Sequence, residues 1–419
     1  MDHFDYRDGE LFCEAVPLSE IAREAGTPVY AYSAATIRHH ASVMKQALGD
    51  LGDPLIAYAV KANPNPAVLA ILAAEGLGAD IVSIGEYRQA RAAGVPPERI
   101  LFSGVGKTKV EMEEALAGGL CQFNVESVEE AKMLADVAAT AAIEARVGLR
   151  INPDIEAGTH SKITTGTADS KFGIPAADAI EAFRIASRLP GLKVQGITVH
   201  IGSQLTDLAP LEASFRRVGE LIAALRGEGI EIAVADLGGG LGVPYEPDEP
   251  APPTPADYGA MVGRVTRDWK VRLAFEPGRL IVANAGVLLT RVIRVKPGEK
   301  HPWIIVDAAM NDLMRPALYD AYHHLQAANP SGETMVANVV GPVCESGDTF
   351  AMAREMHRVE AGDLVAFMSA GAYGAAMSSG YNSRPLTPEV LVDGDRWALV
   401  RRRIDIADCA AMPLPGWLR

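Results

Sequence analysis

Residues 56–66 read IAYAVKANPNP, and the run from Ile56 to Val60 is apolar at every position. A strand apolar on both faces is expected where helices cover both sides of a parallel sheet. Lys61 closes that run. An ammonium in such a place either marks the strand's exit into solvent, carried there on its aliphatic stem, or serves chemistry. The stretch alone leaves both readings open.

From residue 55 to 279 one phrase recurs: a short apolar strand candidate, a polar or glycine-bearing end, then an alanine-rich stretch with helical spacing. The eight candidates are IAYAVKAN (56–63), GADIVS (78–83), ILFSG (100–104), QFNVES (122–127), VGLRINP (147–153), GITVHIGS (196–203), VADLGGG (234–240) and RLAFEPGR (272–279). This alternation implies parallel α/β architecture, and eight units in about 225 residues match a (β/α)8 TIM-type barrel better than an open doubly wound sheet. The C-terminal ends of barrel strands share the face on which active sites of this fold lie. Those ends carry Lys61, Asp80, Ser83, Asn124, Glu126, Arg150, Asn152, His200, Ser203, Asp236, Glu276 and Arg279. Such a gathering makes Lys61 a functional candidate.

After residue 286 the texture changes to longer β-rich runs: VLLTRVIRV (287–295), WIIVDAAM (303–310), TMVANVVG (334–341), LVAFMSAG (364–371) and EVLVDGDRWALVRRR (389–403). Asp393-Gly394 within the last run is a hairpin turn signal. These runs predict a C-terminal antiparallel β domain of sandwich or barrel-like form, which PVYAYS (28–33) is expected to join. The expected boundaries are 36–285 for the barrel, with 1–35 and 286–419 for the β domain. The proline-rich stretch PYEPDEPAPPTP (244–255) precedes the eighth strand candidate and is expected as a surface loop.

The 419 residues carry a formal net charge of −14 and no basic run, so neither nucleic acid nor an anionic membrane is expected as a partner. The acidic start MDHFDYRDGE lacks the pattern of a signal peptide, and no apolar segment has the length of a membrane span. Cys13, Cys121, Cys344 and Cys409 show no paired spacing, which suits reduced thiols in a cytoplasm. The nine histidines show no metal-ligand spacing; His39-His40 and His323-His324 are neighbours that would point apart on a helix. A small molecule is the expected partner.

GVGKT (104–108) invites a nucleotide-binding reading, but Leu101 stands where a phosphate-binding loop needs glycine. GGGLGV (238–243) falls short of the dinucleotide fingerprint, with Val243 in place of glycine. Three consecutive glycines at a strand end either make a tight turn or expose backbone N–H groups to one phosphate. Taken with Lys61, a ring-sized His200 and the carboxylate of Glu276, that turn fits an aldehyde cofactor bearing a phosphate, pyridoxal 5'-phosphate.

Seven motifs then follow in order: YAVKANPN (58–65), HIGSQ (200–204), DLGGGLG (236–242), EPGR (276–279), MNDLMRPALYDAYH (310–323), GPVCESGD (341–348) and GAYGAAM (371–377). The series resembles that of the diaminopimelate decarboxylase family, fold-type III pyridoxal phosphate enzymes, over nearly the whole chain. The resemblance implies decarboxylation of meso-2,6-diaminopimelate to L-lysine by a homodimer with shared active sites. It implies that Lys61 carries the Schiff base, that His200 stacks on the cofactor ring and that Glu276 lies at the pyridine nitrogen. Ser203, Gly239, Gly240, Pro277, Gly278, Arg279 and Tyr373 would frame phosphate and ring. Arg279, Arg315, Tyr319, Glu345 and Tyr373 would hold the substrate, with guanidinium groups on its carboxylates. Cys344 would deliver the proton that replaces carbon dioxide. GTHSKITTGTADSKFG (158–173), polar and placed after the fifth strand candidate, is expected as a lid.

An ornithine- or arginine-type decarboxylase of the same fold is the nearest rival. Its substrate lacks a second carboxylate, and the CES tripeptide (344–346) differs from the Cys-Asp-Gly pattern of the ornithine branch. Alanine racemases place arginine at the pyridine nitrogen, where Glu276 would stand. A non-catalytic homologue is disfavoured because both Lys61 and Cys344 are present.

Overall fold

The computed structural model describes residues 2–156, 170–247, 250–409 and 416–418. The chain divides into two compact units: Ile37–Pro244 with Pro250–Ile281, and Met1–Thr36 with Tyr245–Glu249 and Val282–Arg419.

In the first unit, strands Leu55–Ala59, Gly78–Ile81, Ile100–Phe102, Gln122–Val125, Ala145–Asn152, Leu192–Thr198, Val234–Asp236 and Arg272–Phe275 pair in parallel in chain order. The last also pairs with the first, closing a barrel. Each lies where an apolar run predicts it, though most stop short. The first ends at Ala59, and Val60–Ala62 form a tight 3-10 turn that places Lys61 beyond the strand end.

Side-chain caps start the helices that return the chain. Ser83 and Ser127 accept from the N–H groups of Glu86 and Glu130, and Thr108 with Glu111 forms a capping box. Each such cap contributes about 1 kcal/mol by satisfying helix-end donors. The proline-rich stretch runs into a further capping box, Thr254 with Asp257, that opens helix Pro255–Thr266. Its described residues are exposed or half-buried, as a surface loop requires.

The barrel interior is polar as well as apolar. Gln122, Asn124, Thr198 and Asp236 are buried there. Gln122 fills space left by glycines on the two following strands. A Cβ on Gly148 would lie 2.4 Å from Gln122 Nε2, and one on Gly196 would lie 2.6 Å from Gln122 Oε1. The GVGKT lysine is structural: Lys107 is buried, and its ammonium donates to the carbonyls of Gly104 and Asn124 and to the Glu130 carboxylate.

In the second unit a sheet runs in the order Thr349–His357, Thr334–Val340, Trp303–Val306, Gly286–Lys296, Val29–Ser33, Glu389–Asp393, Arg396–Arg401. The Asp393-Gly394 hairpin forms as predicted, and the early strand Val29–Ser33 joins the sheet. The antiparallel expectation needs one refinement. Trp303–Val306 pairs in parallel with Thr334–Val340, and Val29–Ser33 in parallel with Glu389–Asp393. Neither pair is joined by a tight turn, so no hairpin dictates its direction. The N-terminal hairpin Phe4–Arg7/Glu10–Cys13 and helix Leu18–Ala25 pack Phe4, Leu11, Leu18 and Ile21 onto Val29, Val287, Leu289 and Val390. Burying each such side chain contributes about 1.5–3 kcal/mol.

Candidate active site

At the C-terminal end of the barrel, Lys61, Val82, Ser103, Gly104, Arg150, Phe172, Thr198, His200 and Glu276 line a cavity of about 370 Å³. Pockets that hold small ligands and cofactors occupy this size range. Lys61, on its 3-10 turn, places Nζ 2.9 Å from Asp80 Oδ2. Asp80 is fully buried, and its second oxygen has no hydrogen-bond partner among the described residues.

Glu276 follows the last strand and lies against a second buried acid, Asp236. Asp236 accepts from the Gly238 N–H and from Asn124 Nδ2, each at 3.0 Å. Asn124 Oδ1 accepts from Gln122 (2.8 Å) and Thr198 (3.0 Å). Its amide nitrogen therefore faces both acids, and Ser103 Oγ adds a donor to Glu276 Oε1 at 3.2 Å. Burial, then Asp236 and Asp80, push the Glu276 carboxyl well above its ordinary range, with Lys61 opposing. Burial likewise raises Asp236. Burial and the neighbouring acid both favour the protonated form of Glu276.

His200 is held well below the usual histidine range by burial and by the charges of Arg150 and Lys61. Its Nδ1 accepts from the Gly239 N–H at 3.3 Å. Imidazole is thus neutral, with the proton on Nε2. Gly240 has φ of +117°, and a Cβ there would meet the Gly202 carbonyl oxygen at 2.5 Å, so only glycine fits this turn. Arg279 is buried with Nη2 donating to Ser203 Oγ at 3.0 Å. Pro277 and Gly278 lie between Glu276 and Arg279 in the same turn.

The remaining candidates belong to the second unit. Arg315 opens the short helix Arg315–Tyr319 and is buried; Tyr319 is half-buried. Cys344 and Glu345 are exposed. Glu345 Oε2 accepts from the Tyr381 hydroxyl at 2.8 Å. Their loop is fixed from beneath by Asp348, which accepts from the N–H groups of Met310 (2.6 Å) and Val343 (2.7 Å). Tyr373 is half-buried with φ of +56°. Residues 158–169 of the expected lid lie outside the described residues; Phe172 is described and stacks under the Arg150 guanidinium at 4.8 Å.

Residues 34–283 match the family model for the pyridoxal-binding domain of pyridoxal-dependent decarboxylases. The chain is 55% identical to the diaminopimelate decarboxylase of Zymomonas mobilis, an alignment covering 97% of each chain. It is 48% identical to that of Vibrio cholerae over 98% of this chain and 99% of the relative. The chain belongs to the diaminopimelate decarboxylase family. A crystal structure of the M. jannaschii diaminopimelate decarboxylase in complex with L-lysine superimposes with a TM-score of 0.95 at 37% identity, covering 100% of this chain and 99% of that one. A lysine/ornithine decarboxylase of Vibrio vulnificus, at 22% identity and a TM-score of 0.79, shares the fold alone.

The protein is accordingly a carboxy-lyase. The cavity's groups suit a pyridoxal cofactor: an amine for the aldehyde, a buried acid for the ring nitrogen and a ring-sized imidazole. Sequence patterning places Asp236 and Asn124 at strand ends but does not couple them to Glu276. That coupling depends on barrel closure, which brings distant strands together around one interior.

Proposed function

We propose that this enzyme removes the carboxylate at the D-configured centre of meso-2,6-diaminopimelate, releasing carbon dioxide and L-lysine in the last step of lysine biosynthesis. The observation that carries the reading is Lys61 facing one cavity with the buried acid Glu276, in a family member 55% identical to a diaminopimelate decarboxylase. Residues 36–285 are the domain proposed to bind pyridoxal 5'-phosphate, and 1–35 with 286–419 form the β domain.

When bound, the cofactor supplies an electron sink for the pair left as the carbon–carboxylate bond breaks. Lys61 is the amine that holds its aldehyde, kept at hand by Asp80. Glu276 would keep the ring nitrogen protonated, and His200 would lie against the ring. Ser203, Gly239, Gly240, the turn 276–279 and Tyr373 would hold the phosphate and ring. Arg279, Arg315, Tyr319 and Tyr373 bind the substrate, guanidinium groups taking carboxylates in bidentate fashion, while Glu345 takes the distal ammonium. Cys344 guides the proton that replaces carbon dioxide.

A homodimer is proposed, in which Cys344 and Glu345 serve the partner's site; their exposure on a loop pinned by Asp348 supports this. The three described free cysteines suit a cytoplasmic setting. The test is carbon dioxide release from meso-diaminopimelate compared with ornithine, arginine and L-lysine. Diaminopimelate is expected to be turned over fastest, and faster release from ornithine overturns the assignment.

A further inference from the structure

Arg315 is buried in the second unit, and two side chains outside the family motifs' substrate set touch its guanidinium. His323 Nε2 lies 2.9 Å from Arg315 Nη1. The Tyr245 ring lies beneath the guanidinium, 4.5 Å from Cζ to the ring centroid. Tyr245 and His323 also meet edge to face, with centroids 5.5 Å apart and planes at 78°. The three side chains form one packed corner.

Hydrogen bonding decides which imidazole nitrogen carries the proton. His323 Nδ1 lies 2.9 Å from the Met368 carbonyl oxygen, which only accepts. Nδ1 therefore donates, which leaves the lone pair on Nε2 to face an arginine that only donates. The backbone of His323 is held as well: its carbonyl accepts from Arg354 Nη1 at 3.0 Å. The imidazole is fully enclosed and fixed at both ends, so it gives Arg315 an acceptor in one direction. Tyr245 restricts the guanidinium plane through its ring face. Both groups are neutral, so they orient the guanidinium without cancelling its charge. An arginine whose plane is already fixed loses less side-chain entropy when it takes a carboxylate.

We propose that His323 and Tyr245 are positioning residues that aim Arg315, and that this aim sets the preference for substrates bearing a distal carboxylate. The inference rests on the reading of Arg315 as a carboxylate clamp. L-Lysine, the product, keeps the distal carboxylate of diaminopimelate and so reports on the same contact without turnover.

His323→Leu removes the acceptor while keeping bulk. It is expected to raise KM for meso-diaminopimelate about tenfold with kcat changed less than about twofold, and to weaken calorimetric L-lysine binding by a similar factor. His323→Gln, whose amide oxygen can accept, should recover part of both losses. Tyr245→Ala, in a half-buried loop position, should shift KM and lysine affinity in the same direction and serves if His323→Leu fails to fold. If neither His323→Leu nor Tyr245→Ala moves lysine affinity while Arg315→Gln weakens it, the positioning inference is wrong and the clamp stands. If Arg315→Gln also leaves lysine affinity unchanged, the clamp reading itself fails, and the inference with it.

Discussion

The barrel end and the CES loop hold their chemical groups in opposite ways. Glu276, Asp236, Asn124 and Asp80 are buried, and each touches another member of the group or Lys61. Cys344 and Glu345 are exposed, and the loop beneath them is tied by backbone bonds to Asp348. Burial lets one neighbour move another's proton affinity, which suits groups that must hold or share a proton. Exposure with a fixed backbone suits groups that must meet something from outside.

The sharpest way to break this contrast is Lys61→Ala. Loss of the only amine proposed to hold the cofactor aldehyde should lower turnover by at least about a thousandfold, while phosphate contacts keep some reversible cofactor binding. Near-native carbon dioxide release from this variant would remove Lys61 from its role.

Lys107→Met strands the Glu130 carboxylate, and its cost to folding should be about 3–5 kcal/mol in urea titration. A much smaller cost would mean that the loop 103–107 repacks around the missing charge.

Glu276→Gln should lower kcat by about a hundredfold with little change in substrate affinity, because a neutral amide cannot keep the ring nitrogen protonated. It should also alter the pH dependence of the cofactor-free protein. A carboxyl whose folded proton affinity is raised binds more protons folded than unfolded above its ordinary range, so the native enzyme loses stability as pH rises through that window. The Gln variant escapes that loss, and its advantage in thermal melts should grow from pH 5 to pH 8. An advantage that shrinks with pH would reverse the sign assigned to Glu276.

The exposed half of the comparison is tested by mixing. Lys61→Ala and Cys344→Ala chains, each inactive alone, should regain about a quarter of native activity after subunit exchange, since half of randomly paired dimers hold one intact site of two. Zero recovery from verified heterodimers would rule out sites shared between chains.

All eight barrel strands are legible in the sequence because apolar runs with polar ends repeat at regular spacing. Their ends are less so: the turn Val60–Ala62 is as apolar as the strand before it, apart from Lys61. Strand Thr349–His357 escapes notice because TFAMAREMH is rich in helix formers, and pairing with Thr334–Val340 overrides that preference. Among site residues, strand-end position singles out Lys61, His200 and Glu276, whereas Arg315, Glu345 and Cys344 are legible only through the motif series. Arg315 could equally sit on a solvated helix face by sequence alone, and it is buried. His323 reads as one of two adjacent histidines expected to diverge on a helix; it lies in irregular chain beyond the helix, and its neighbours give it a directed lone pair.

Gln122, Gly148 and Gly196 come from three adjacent strands, yet they occupy one volume. They therefore act as a single packing unit. A methyl at 148 or 196 would lie 2.4 Å or 2.6 Å from the Gln122 amide, so either substitution requires that side chain to move. Shortening the glutamine opens that space through an intermediate carrying a void. Shortening also removes a donor to Asn124, so that intermediate would have a looser acid pair as well as a gap. The trio thus ties the filling of the barrel to the orientation of Asn124, even though none of the three is proposed to touch cofactor or substrate.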